Sequence, residues 1–197
     1  MSYILGLTGP TGAGKGVFSE CAKHLGFNVI DCDLVARQAV KAGMPALSAL
    51  RDVFGDGILK WNGELDRKML AATAFSSKEN TELLNKTVLP YIKELVLAQI
   101  KGDYVLLDAP TLFESGINSV CDKTVAVIAP PDKRKSRIKT RDGISDSDAD
   151  MRMSAGKPDE FYYENADIVF INDETVENFI KKVKIYLSEI IGGSDNE

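Results

Sequence analysis

YILGLTGPTGAGKGVFSECAKHL, residues 3–25, decides the fold. A short apolar run, 3–8, has the character of a β-strand. It passes into a glycine-rich turn and then into a stretch with helical patterning. Gly9, Gly14 and Lys15 meet the spacing G-x-x-x-x-G-K. In that arrangement small residues let backbone N–H groups approach phosphate oxygens, and the start of the following helix adds positive potential. The backbone of Gly12, Ala13, Gly14, Lys15 and Gly16, leading into Val17, forms the cradle. Lys15 is spaced to reach β- and γ-phosphates. The next position normally holds a Ser or Thr whose hydroxyl reaches Mg²⁺, and here it is Gly16. A tight strand-to-helix turn with a surface lysine is the alternative. The order strand, loop, helix favours a nucleotide site.

Further β-rich runs occur at 27–31, 104–108, 123–129 and 167–171, with helical patterns between them. The alternation predicts an α/β fold with a five-stranded parallel sheet flanked by helices. Crossovers in such sheets are right-handed, and ligands gather at the carboxyl ends of the strands. Between Asp31 and Asp103 the chain is too long for one crossover helix. Helical patterns near 34–42, 46–54, 66–75 and 81–101 predict a mostly helical lobe. The last has a stripe at Leu84, Val88, Tyr91, Leu95 and Ala98, and Pro90 is expected to kink it or to start a new helix. A closing helix over about 174–191 carries Val176, Phe179, Ile180, Val183 and Leu187 on one face. Gly192 and Gly193 are expected to end it, and SDNE to form a frayed tail.

Three more stretches carry chemistry. In IDCDLVAR, Asp31 and Asp33 follow the second strand. Alternate residues of an extended stretch point the same way, so both carboxylates could face one cleft. One of them could take a hydroxyl proton or hold Mg²⁺ through water; Asp33 could instead cap the helix. Arg37, one helical turn after Asp33, could pair with it or bind a substrate phosphate. In YVLLDAPTLFESG, an apolar run ends in Asp108, as a Walker-B-like strand does, and the acidic end suits Mg²⁺ or its waters. In PPDKRKSRIKTRD, six of the nine residues 133–141 are basic. On a helix, Arg134, Arg137 and Arg141 share one face. They suit a polyanion such as ATP, or else form a solvated face. The RDGISDSDA stretch has the composition of a lid edge, whose closure would bring Arg141 onto a transferring phosphoryl group.

Composition narrows the field. The chain of 197 residues is 44% hydrophobic and 27% charged, with a net charge of −5. It is expected to be one compact unit with room for a small inserted lobe, and with neither nucleic acid nor a membrane as a partner. Three cysteines without a C-x-x-C pair point to a reducing compartment, hence the cytoplasm. The single histidine, His24, falls on a helix and reads as a surface or capping residue. Histidine-based chemistry is thereby all but excluded.

Taken together, GLTGPTGAGK, IDCDLVAR, GELDRKMLAATAF, LLDAPTLFESG, RIKTRDGISDSDADMRM and ADIVFIN resemble the dephospho-coenzyme A kinase family, within the P-loop nucleoside-kinase group. The resemblance covers nearly the whole chain. It implies a P-loop kinase fold, with a core of about 1–31, 103–131 and 160–197, a helical acceptor-binding lobe of about 32–102 and a lid of about 132–159. It implies transfer of the γ-phosphate of ATP, with Mg²⁺, to the ribose 3'-hydroxyl of dephospho-CoA, and a monomer is favoured. By resemblance Asp33 is the base, Lys15 and the loop with Arg137 hold ATP, and Arg141 is the lid arginine. Asp31, Arg37, Asp66, Arg67, Leu112, Phe113 and Glu114 serve the acceptor, and Asn172 lies near the adenine. Asp33 and Asp108 would hold Mg²⁺ through water. Three positions depart from the family pattern: Gly16 for Ser or Thr, Leu89 for a His before Pro90, and Gly156 for a Gln. Competing readings are a kinase for a nucleoside monophosphate, motivated by G-K-G, and a nucleotide- or CoA-binding module that has lost activity.

Overall fold

A computed structural model describes residues 2–193. The strands are β1 Tyr3–Thr8, β2 Asn28–Asp31, β3 Tyr104–Asp108, β4 Lys123–Ile128 and β5 Ile168–Ile171. They form one parallel sheet in the order β2-β3-β1-β4-β5. Strands covered on both faces need near-continuous apolar sequence. Accordingly Leu5, Leu7, Leu106, Leu107, Val125 and Val127 are sealed from solvent. The register sets Leu7 beside Asp108, Thr8 beside Ala126 and Ile128 beside Ile171. The carboxyl ends of four strands therefore share one edge. β1 lies between β3 and β4, where the chain order reverses, and there the edge opens as a crevice.

The helices are α1 Lys15–His24, α2 Cys32–Ala39, α3 Pro45–Phe54, α4 Arg67–Ala74, α5 Lys78–Leu97, α6 Pro131–Asp142, α7 Asp146–Ser154, α8 Asp159–Asn165 and α9 Val176–Gly193. The chain divides into two compact units. The first holds the described residues up to Ile30, residues 101–112 and those from Cys121 onward. In it, Phe18 of α1 and Phe179, Val183 and Leu187 of α9 pack with Leu5, Leu7, Leu106, Val125 and Val127. Each such side chain contributes about 1.5–3 kcal/mol on burial. Tyr162 of α8 packs with Ala126 and Ile128. The second unit holds residues 31–100 and 113–120. Its core is Leu47, Leu50, Ile58 and Leu65, flanked by Leu84 and Val88 of α5.

Several local expectations need correction. α5 runs unbroken from Lys78 to Leu97 with Pro90 inside it, so no second helix starts there. Packing against α2, α3 and α4 outweighs the hydrogen bond that proline removes. Beyond Pro90 the buried residues are Ile92 and Val96 rather than Tyr91 and Leu95, so the inward row is 84, 88, 92, 96. α9 starts at Val176 and is described as far as Gly193, and the SDNE segment lies outside the described residues. Residues 113–120 group with the helical unit, because Asn85 Nδ2 donates to the Glu114 carbonyl at 2.7 Å and Leu89 abuts Gly116.

The β4–β5 pair is pinned at its entry. The Asp167 carboxylate accepts from the Thr124 backbone N–H at 2.7 Å and from the Thr124 hydroxyl at 2.6 Å. These bonds hold the Asp167 carboxyl below its ordinary value. A depressed folded value gives stability that is full above the unfolded value of about 3.9 and disappears as pH falls through the folded one. Asp167→Ala should therefore lower the urea midpoint at pH 7, and the gap to wild type should close below about pH 4. Urea denaturation across pH checks both.

Candidate active site

α1 begins directly after the glycine loop. Its N-cap is Gly14 at φ 110°, with no capping side chain and no acidic residue in the first turn. No capping side chain or first-turn carboxylate therefore competes with an anion for the positive end of this helix. A Cβ at Gly14 would lie 2.2 Å from Asn172 Nδ2, and one at Gly9 would lie 2.1 Å from the Val127 carbonyl oxygen. Both positions also have positive φ, so only glycine fits.

The loop carbonyls are held from outside. Arg134 Nε donates to the Thr11 carbonyl at 3.1 Å, and Arg137 Nη1 donates to those of Gly12 and Ala13 at 3.3 and 3.2 Å. Asn172 Nδ2 adds a bond to the Ala13 carbonyl at 2.8 Å, while its Oδ1 accepts from Arg137 Nη2 at 3.3 Å. Lys15 Nζ donates to the Gly9 carbonyl at 3.0 Å. With the Thr11 and Ala13 carbonyls so engaged, the peptide planes carrying the Gly12 and Gly14 amides are held for phosphate oxygens, while Ala13 N–H donates to the Pro10 carbonyl at 3.2 Å. The cleft over this loop measures about 620 Å³ and is lined by residues 9–12 and 14–17 with Pro110, Arg137 and Arg141. Three cations border it and no carboxylate does, which suits a polyphosphate.

The chain aligns with known proteins over its length. The family model for dephospho-CoA kinase matches residues 3–178. The chain belongs to the dephospho-CoA kinase family. The dephospho-CoA kinase of Enterococcus faecalis is 36% identical over 197 residues, covering 98% of this chain and 99% of the relative. A crystal structure from Thermus thermophilus has TM-score 0.76 at 29% identity, covering 95% of this chain and 97% of that one. Dephospho-CoA kinase from Campylobacter jejuni has TM-score 0.67 at 25% identity, covering 98% and 100%.

In this dephospho-CoA kinase family member the basic stripe divides by face. Arg134, Arg137 and Arg141 face the loop side. Lys135 pairs with Asp146 and Asp150 at 3.4 and 2.8 Å, and Lys139 also pairs with Asp146, tying α6 to α7. Arg134 is buried and bonded to Asp159, so it belongs to the scaffold. Arg141 makes a two-pronged pair with Asp142 at 2.7 and 2.8 Å, which lowers the Asp142 carboxyl from its ordinary value and orients the guanidinium. At the end of β3, Asp108 Oδ2 accepts from the Ser19 hydroxyl at 2.7 Å. Ser19 carries no motif signal; its spacing from Gly16, one turn of α1, is the available clue. Asp108, half-buried at the end of β3 beside Leu7 and outside the lining of the loop cleft, is a single carboxylate, which suits Mg²⁺ held through its waters. Among the described residues no group of three or more His, Cys, Asp or Glu could form an all-protein metal cage.

Asn172 spends both ends of its side chain on the loop and on Arg137, which makes it a loop clamp. Leu112 is fully buried beneath Gly6 and serves packing rather than the acceptor. In the second unit Asp31, not Asp33, caps α2, accepting from Leu34 N–H at 2.9 Å. The helix begins at Cys32, so the extended-strand argument for aligning the two carboxylates does not apply. Asp33 and Arg37 are exposed on the first and last turns of α2. Asp66 caps α4, whose first residue is Arg67. Phe113 and Glu114 are half-buried, and Glu114 Oε2 is buried without a partner. His24 sits on the surface at 3.2 Å from Glu20. Burial pushes the Cys121 thiol up to about 12, so it stays neutral. No helix among the described residues is long and apolar enough to cross a membrane.

Asn172→Ala should weaken ADP binding about tenfold, the cost of one buried hydrogen bond to the loop. Calorimetric titration measures this. An unchanged affinity would mean that the loop keeps its form without the clamp.

Proposed function

We propose that the protein transfers the γ-phosphate of ATP to the ribose 3'-hydroxyl of dephospho-CoA, completing coenzyme A. The carrying observation is the phosphate loop with its carbonyls tied back by α6 and Asn172, in a chain that belongs to this family. The loop amides and Lys15 hold the β- and γ-phosphates. Arg137 fixes the loop and adds positive charge beside it. Arg141 stabilises the charge on the phosphoryl group in flight, within a lid of about residues 132–159 that closes over ATP. Phosphoryl transfer is loose, so positioning and charge account for most of the acceleration. Asp33 orients the acceptor hydroxyl and takes its proton late in the transfer. Arg37, Arg67, Phe113 and Glu114 bind the acceptor; Asp66 aims Arg67 by fixing the start of α4. Mg²⁺, when bound, would supply positive charge that offsets part of the phosphate charge. Asp108 would hold it through water, with Asp33 as a second water-mediated holder. The three free thiols suit work in the reducing cytoplasm.

An acceptor panel with ATP and Mg²⁺ tests the reading. Dephospho-CoA should be phosphorylated in preference to AMP and other nucleoside monophosphates. Asp33→Asn should lower kcat by about 10²–10⁴-fold while ATP affinity stays within about twofold. A preference for AMP, or unchanged turnover in the variant, would overturn it.

A further inference from the structure

The loop lacks a hydroxyl where a P-loop usually supplies one, at Gly16, and the next residue, Val17, has none either. The first hydroxyl on α1 is that of Ser19, and it donates to Asp108 Oδ2 at 2.7 Å. Ser19 stands three residues beyond Gly16, on the same face of the helix and about 4.5 Å farther along its axis. It is therefore set back from the phosphates, at the carboxylate instead. Asp108 is fixed at its backbone too, since β3 pairs with β1 in a register that sets it beside Leu7, and Ala109 N–H donates to the Leu7 carbonyl at 2.9 Å. The Ser19 bond removes the remaining freedom, rotation of the carboxylate, and occupies Oδ2. Oδ1 is left as the oxygen for a metal-bound water.

We propose that Ser19 is a positioning residue for the metal. By orienting Asp108 it replaces, one helical turn away, the function of the hydroxyl missing at Gly16, so that Mg²⁺ is held through Asp108 and water rather than by a loop side chain. This rests on the kinase reading above. Outer partners that orient a metal-holding carboxylate typically contribute about 10–100-fold in metal affinity. The site also has room to show the exchange, because a Cβ at Gly16 would meet nothing within 4 Å.

Mn²⁺ serves as the probe, with binding to the enzyme–ADP complex read by electron paramagnetic resonance and ADP binding in EDTA read by calorimetry. Ser19→Ala should weaken Mn²⁺ about tenfold, leave ADP affinity in EDTA within about twofold, and be rescued by Ser19→Thr. In a Gly16→Ser background the hydroxyl is back at its usual place, and Ser19→Ala should cost less than about twofold. The proposal is overturned, with the kinase reading intact, if Ser19→Ala leaves Mn²⁺ binding unchanged. It is also overturned if that variant weakens ADP equally in EDTA, which would make Ser19 a packing residue, or if the cost persists beside Gly16→Ser. If wild type binds Mn²⁺ no better with ADP than without it, the metal role falls together with the proposal.

Discussion

The carbonyl of Ala13 accepts two hydrogen bonds, from Arg137 at 3.2 Å and from Asn172 at 2.8 Å. Much of the site depends on that arrangement. A peptide plane whose oxygen is turned toward α6 directs its N–H the other way. A run of such planes makes a cradle for anions. The donors are an amide and a guanidinium that hydrogen-bond each other, so each limits the rotation of the other. The glycines follow from the same contact. Asn172 can approach Ala13 only because position 14 has no side chain.

The sheet is what delivers those donors. Asn172 follows β5, and its backbone N–H donates to the Ile128 carbonyl at the end of β4 at 2.8 Å. α6 starts three residues after β4. β1, β3, β4 and β5 end at a common edge because their register is set by apolar side chains buried on both faces. Phosphate loop, Asp108, arginine stripe and clamp are thus four consequences of one packed sheet. The charge that gathers there is net positive in a chain that is acidic as a whole. A cleft of that kind attracts polyphosphate without making the surface generally sticky to nucleic acid.

Features encoded by neighbouring residues are legible in the sequence itself. The loop, the strand positions and the shared face of Arg134, Arg137 and Arg141 follow from spacing alone. What escapes a linear reading depends on distant partners or on where an element starts. Asn172 meets Ala13 across 159 residues, and no local pattern announces that. Asp31 rather than Asp33 caps α2 because the helix starts one residue after Asp31, and sequence boundaries are uncertain by more than that. Pro90 reads as a kink or a new start because propensity is local, whereas the packing that keeps α5 one helix is not. Leu112 shares a motif with Phe113 and Glu114 but falls beneath Gly6, a division that only the third dimension makes.

The claim that the loop's outward-held carbonyls free its amides for phosphate is tested most directly by amide chemical shifts. Backbone N–H resonances of Gly12, Gly14, Lys15 and Gly16 should move strongly downfield on adding ADP or pyrophosphate, and little on adding adenosine. The account is contradicted if ADP binds while those four resonances stay where they are.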